Sequence, residues 1–217
     1  MSEFNLSNPN RTIHVGVILM NSVTEALDVA PVDLLHGVSQ RFIEDMPTLI
    51  PEPFKTQGLP IDFHWDSFAK CPPLDIVLVG AHHIDYRLSD AELAFVRKSY
   101  DACTAFMTVC GGIQVAVQAG LVDGKTVTGP RFMLSELRAA APDATAWVEK
   151  RFVSDGKLWT SGALHNGLDM MAAFMRHTWP GKEGGMPSLV DFGLVLGSGL
   201  NRDIDYKDEP LLEMPVA

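Results

Sequence analysis

The chain has 217 residues, a formal net charge of −10 and 47% hydrophobic residues. That is apolar material for one substantial core, which argues against a disordered chain. The acid excess without any Lys/Arg run argues against nucleic acid as a partner. No run of about 18 apolar residues is present, so no membrane span is expected. The polar opening, residues 1–11, reads as a flexible start without the basic, apolar pattern of a secretory signal. Cys71, Cys103 and Cys110 form neither a CxxC pair nor a zinc spacing. Their odd number leaves a free thiol if disulfides are internal, and a cytoplasmic, reducing compartment is expected.

Residues 12–20 (TIHVGVILM) are β-branched and apolar and predict a first strand buried on both faces. After a loop, residues 29–42 carry apolar residues at helical spacing, with Asp28 as candidate N-cap and Pro31 in the first turn. Residues 44–60 hold four prolines and read as a loop or lid. Residues 61–65 alternate as a strand at a sheet edge, and residues 75–80 (DIVLVG) form another buried strand. Residues 89–101 predict a helix opened by a capping box, Ser89 with Glu92. Residues 104–109 (TAFMTV) form a strand that runs into Cys110, and residues 111–124 form a helix closed by Gly120 or Gly124. Residues 145–162 suggest a short hairpin and a return strand, and residues 165–179 a late helix. Strands alternating with helices imply an α/β fold, a single-domain parallel sheet with helices on both faces. No linker divides residues 12–179, and residues 180–217 read as an extension packing on that domain.

In parallel α/β sheets, ligands bind beyond the carboxyl ends of the strands. Cys110 stands at such an end, followed by Gly111 and Gly112. A sharp strand-to-helix turn strains the nucleophile's backbone and needs small neighbours. The following helix aims its free N–H groups at the sulfur, which is expected to lower the thiol pKa. Cys110 is therefore the candidate nucleophile, and Cys71 and Cys103 read as structural. His14, His36 and His177 also read as structural. His82 and His83 follow a strand end, where sites gather, but adjacent residues in extended chain point oppositely, so a shared metal is not expected, nor is any other cofactor.

The segment TVCGGIQVAVQAGLVDGKTVTGP resembles the nucleophile elbow of the ThiJ/PfpI superfamily, the class I glutamine-amidotransferase-like fold, flavodoxin-like in architecture. VGVILMNSVTEALDVAPVDLL resembles its first strand and acidic loop, as in fungal-type members. LDIVLVGA resembles the strand that usually ends in Pro-Gly-Gly, and LWTSGALHNGLDMMAAFM the Thr-Ser-Ala-Gly segment and its helix. The resemblance covers residues 12–179. It implies a carboxylic acid beside the thiol, Asp28 first and Glu25 second, which as a protonated carboxyl would donate to a thiolate. Asp28 as a simple N-cap remains the other reading. The resemblance also implies backbone donors for a developing anion at Gly111 and at the Ala81–His82 loop. His165 and Asn166 open the helix after the segment bordering the nucleophile, where they either tailor the pocket or face solvent.

Gly129 and Pro130 stand where amidotransferase and peptidase members carry a histidine, which argues against those chemistries. The remaining cysteine-plus-acid pattern resembles the isonitrile hydratase-like branch. It implies a small-molecule substrate with hydration or lyase chemistry, and a homodimer. Glyoxalase or deglycase chemistry on an α-oxoaldehyde is the alternative, and a cysteine redox sensor or ligand-binding module is the non-enzymatic one.

Overall fold

The computed structural model describes residues 4–64, 66–181, 187–197 and 202–207. These form strands β1 (Ile13–Val17), β2 (Ile61–His64), β3 (Ile76–Val79), β4 (Ala105–Val109), β5 (Thr126–Val127), β6 (Ala146–Trp147), β7 (Phe152–Asp155) and β8 (Leu158–Ser161). The helices are α1 (Ala26–Val29), α2 (Val32–His36), α3 (Gln40–Asp45), α4 (Asp90–Ala102), α5 (Ile113–Gln118), α6 (Leu134–Ala140), α7 (His165–Thr178) and α8 (Leu189–Leu196).

The main sheet has the order β2-β1-β3-β4-β8-β7, and every pair in it is parallel except the β7–β8 hairpin. From β1 the chain steps outward to β2 and then back past β1 to β3, so the strand order reverses between β1 and β3. That switch point opens a crevice at the carboxyl ends of the strands. The period of two divides the apolar residues cleanly. Ile76, Leu78, Ala105, Met107 and Val109 face one core with α2, α7 and α8, while Val77, Val79 and Phe106 face the other with α4, α5 and α6. Both faces are thus covered, as a flavodoxin-like α/β domain requires.

The helix expected over residues 29–42 is three short ones. Pro31 has no N–H to continue α1, and Ser39 starts α3 afresh by accepting the Phe42 N–H on its side chain. Asp28 lies inside α1 and Glu25 occupies the N-cap position, so the N-cap reading of Asp28 fails. The capping box at Ser89 and Glu92 forms as expected. The helix after Cys110 begins with a 3-10 turn, Cys110–Gly112, and α5 ends before Gly120. The two-residue strands β5 and β6 pair with each other in a separate ribbon, and the hairpin is β7–β8.

The described part of the opening segment packs on the domain. Leu6 is buried, its carbonyl accepts the Trp179 indole N–H at 2.7 Å, and the Arg11 guanidinium stands over the Phe4 ring. Beyond residue 180, α8 buries Leu189, Val190 and Leu194, and its Phe192 stacks on Phe54. Residues 202–207 meet Arg151, just before β7, which donates from its backbone to the Ile204 carbonyl and from its side chain to the Asp203 carbonyl. The rest of the extension lies outside the described residues.

Candidate active site

Cys110 follows β4 directly and has φ +56°, a left-handed conformation that costs a non-glycine residue energy. Several contacts hold it there. Its N–H donates to the Gly162 carbonyl at 3.1 Å, in the loop after β8. Gly112 lets the turn press against the end of β3, since a Cβ at that position would sit 2.3 Å from the Val79 carbonyl oxygen. Gly80 plays the same part for the acid, because a Cβ there would lie 3.0 Å from the Cβ of Asp28.

Asp28 is fully buried at the end of the first-strand loop. Its Oδ2 accepts the Ala81 N–H at 2.9 Å. The Leu164 N–H and the Cys110 thiol also act on the carboxylate, yet neither closes a hydrogen bond of normal geometry to the buried Oδ1. Leu164 has φ +51°. Cys110 and Leu164 are the two non-glycine residues with positive φ among the described residues, and both turn toward this one carboxylate.

One ligand atom each from Glu25, Asp28 and Cys110 lies within 4.8 Å of the others. Burial raises the Asp28 pKa, and Glu25 adds to the rise, against the backbone donors Ala81 and Leu164. Burial also pushes the Cys110 thiol up to about 12, with the Asp28 charge next and the Gly111 N–H opposing. This overturns the expected lowering of the thiol pKa by the helix start. Gly111 does aim its N–H at the sulfur, but desolvation and a neighbouring anion outweigh one donor. Both groups are therefore harder to ionise here than in water, and they titrate as one coupled pair. The backbone N–H donors on Asp28 favour its anion, against burial and the Glu25 charge.

The other expected site residues divide. The Ala81 N–H is spent on Asp28, so it positions the acid instead of waiting for an anion. His82 is buried with its Nδ1 3.1 Å from the His83 carbonyl and its Nε2 without a hydrogen bond, and burial lowers its pKa. His165 is exposed. Asn166 is buried, donates to the Tyr206 hydroxyl at 3.0 Å and accepts from Arg202 at 3.1 Å.

Two supports of the site went unread in the sequence. Tyr206 brings the C-terminal segment against Gly162, and its ring lies beneath the guanidinium groups of Arg131 and Arg151. Glu92, beyond capping α4, accepts the Asn21 N–H at 3.0 Å and the Tyr86 hydroxyl at 2.8 Å. It thereby ties the first-strand loop to the loop after β3. Cavities of about 460 and 400 Å³ lie elsewhere, one lined by Val32, His36 and Phe63, the other by Phe4, Trp159 and His177. The strained thiol beside a buried acid outweighs cavity size as the mark of a reactive site.

Residues 59–177 match the DJ-1/PfpI family. No curated protein matches the sequence significantly. Among solved structures, a ThiJ/PfpI family protein from Pseudomonas syringae is 13% identical with a TM-score of 0.60, covering 92% of this chain and 79% of that one. DJ-1beta of Drosophila melanogaster is 15% identical with a TM-score of 0.60, covering 86% and 98%. A putative transcriptional regulator from Vibrio parahaemolyticus is 11% identical with a TM-score of 0.61, covering 87% and 98%. At these identities the likeness is one of fold.

Proposed function

Because the chain belongs to the DJ-1/PfpI family, we propose that it is a small-molecule enzyme in which Cys110 adds to an electrophilic carbon and Asp28 carries the proton. The observation behind this reading is the convergence of both strained residues, Cys110 and Leu164, on one buried carboxylate. The leading charges acting on the thiol are carboxylates, Asp28 and Glu25. Such a site suits addition followed by hydration better than acyl transfer to an amine, which needs an imidazole-like base.

An isonitrile fits this economy. The thiol proton passes to Asp28 as sulfur bonds to the isonitrile carbon, and Asp28 returns it to that carbon, giving a thioimidate. Water, facing Glu25 on the exposed side, adds to the same carbon. The C–S bond then breaks, the sulfur regains its proton, and an N-substituted formamide leaves. The sum is one isonitrile and one water to one formamide, and the enzyme is regenerated.

The substrate test is turnover of a small aliphatic isonitrile, followed by mass spectrometry of the formamide, in parallel with methylglyoxal. The proposal expects formamide from the wild type and none from Cys110→Ser. Conversion of methylglyoxal alone would replace it with α-oxoaldehyde chemistry, and no turnover of either would favour a sensor or ligand-binding role. A homodimer belongs to the same proposal. Leu19, Val23 and Ile84 on the loops after β1 and β3, and Leu27 on α1, are exposed apolar side chains, at the sheet end that carries Cys110. A partner there would cover the loops that flank the site. Light scattering should return twice the 23.7 kDa chain mass, and a monomer mass would refute it.

A further inference from the structure

Away from Cys110, at the β1–β2 edge of the sheet, three potential metal ligands share one face. The parallel register pairs His14 with Asp62 and Gly16 with His64. Residues 62 and 64 point to the same side of β2 because side chains alternate with a period of two, and His14 points to that side from β1. The Leu74 side chain fills the space over Gly16, where a Cβ would lie 2.5 Å from it, and the His64 imidazole turns toward His14. The result is a contact of 2.8 Å between His14 Nδ1 and His64 Nε2. Asp62 Oδ2 stands 3.7 Å from the same His64 nitrogen.

We propose that His14, His64 and Asp62 form a binding site for a divalent cation of the zinc class, independent of the cysteine site. Their ligand atoms all lie within 4.8 Å of one another. Two nitrogens bound to one zinc at about 2.0–2.1 Å in tetrahedral geometry stand roughly 3.3 Å apart. The histidine pair therefore needs to open by about half an ångström, and the carboxylate needs to close by a similar amount on His64 and by at most about 1.5 Å on His14. Both are small side-chain rotations.

The outer contacts set the protonation the site needs. Asp66 Oδ2 lies 3.4 Å from His64 Nδ1. A carboxylate at that distance favours the tautomer with the proton on Nδ1 and the Nε2 lone pair facing His14; a shorter contact of this kind fixes metal-bound histidines in many sites. Without metal, a proton of His14 Nδ1 fills the gap between the two rings. With metal, His14 carries that proton on Nε2 instead, and the cation takes its place between the rings. No net proton is lost from a neutral pair.

Two nitrogen donors and one carboxylate select zinc or its neighbours over calcium or magnesium, which prefer oxygen. Asp62 is 61% exposed, which gives the ion a path in and leaves a fourth position for water. No zinc pattern is visible along the sequence, because the ligands lie on neighbouring strands about fifty residues apart and only the register unites them.

The test is calorimetric titration of the full chain with Zn²⁺ in a Cys110→Ser background, which removes the thiol of the other cluster. One equivalent should bind. His64→Ala and His14→Gln, each added to that background, should weaken binding at least 10-fold, and Asp66→Asn about 10–100-fold. Mg²⁺ should not compete. Co²⁺ at the site should give visible d–d bands that disappear in His64→Ala. Circular dichroism of the metal-free variants checks the fold, and His64→Gln replaces any that fails. No zinc binding in Cys110→Ser, or undiminished binding in folded histidine variants, would overturn the proposal.

Discussion

Replacing Asp28 by Asn removes an ionisable carboxyl from the site and almost nothing else. The amide oxygen still accepts the Ala81 N–H, so the loop after β3 keeps its anchor. Unit charges about 4.8 Å apart, the outer bound on this pair, interact by roughly 3.5 kcal/mol at an effective dielectric constant of about 20. That is about 2.5 pK units. The Cys110 thiol, pushed up to about 12 beside the carboxylate, should therefore titrate roughly two to three units lower in Asp28→Asn. Stability should move the other way from an ordinary active-site loss. A carboxyl whose folded pKa is raised stabilises the fold only when protonated, and that contribution is lost as pH rises through the folded value. At neutral pH Asp28 is thus a liability, and Asp28→Asn should be at least as stable as the wild type. Turnover should nonetheless fall about 10²–10⁴-fold, the usual share of a general acid–base group. The assay is the pH dependence of iodoacetamide alkylation, read at the Cys110 peptide by mass spectrometry, beside thermal unfolding. A wild-type thiol already ionised at pH 7, whose pKa rises in Asp28→Asn, would refute the reasoning and put the resting proton on the carboxyl.

Other substitutions test the supports. Gly112→Ala places a Cβ 2.3 Å from the Val79 carbonyl oxygen. It should cost about 1–3 kcal/mol, lowering Tm by about 2–4 °C per kcal/mol, and should slow Cys110 alkylation. Hydrogen bonds from the Asn21 N–H and Ser89 outweigh the burial that would raise Glu92, and bring its pKa down to about 2 from 4.5. Its contribution, about 3 kcal/mol, is complete above the unfolded value and is lost as pH falls from 4.5 toward about 2. Glu92→Gln should flatten acid unfolding over that window. Tyr206→Phe removes the hydroxyl bonded to Asn166 and should cost about 1 kcal/mol. If the C-terminal segment positions the loop behind Cys110, KM rises while the pH profile of alkylation stays put.

Local signals carried much of this architecture. Ser89 and Glu92 announced α4 because a capping box acts within four residues. Cys110 with two glycines announced the turn because strand, nucleophile and helix are contiguous there. Features made by distant residues were silent. Nothing in the pattern around Leu164 reports a positive φ, and the carboxylate its N–H acts on, Asp28, is far away in the chain. Tyr206 meets Asn166 across forty residues with no periodicity to link them. Asp28 looked like an N-cap because Pro31 suits a first helical turn, whereas Pro31 in fact separates two short helices. The thiol's ionisation was misjudged for a related reason. The helix N-terminus is visible in sequence, but burial and the position of a second charge are not.

The central claim is that Cys110 bonds covalently to the substrate. It is tested most directly by acid-quenching the protein during isonitrile turnover and measuring its intact mass, with peptide mapping of the modified residue. A mass increase of one isonitrile, mapped to Cys110 and absent from Cys110→Ala, is the predicted result. Undiminished turnover by Cys110→Ala, with no adduct at residue 110 in the wild type, would contradict it.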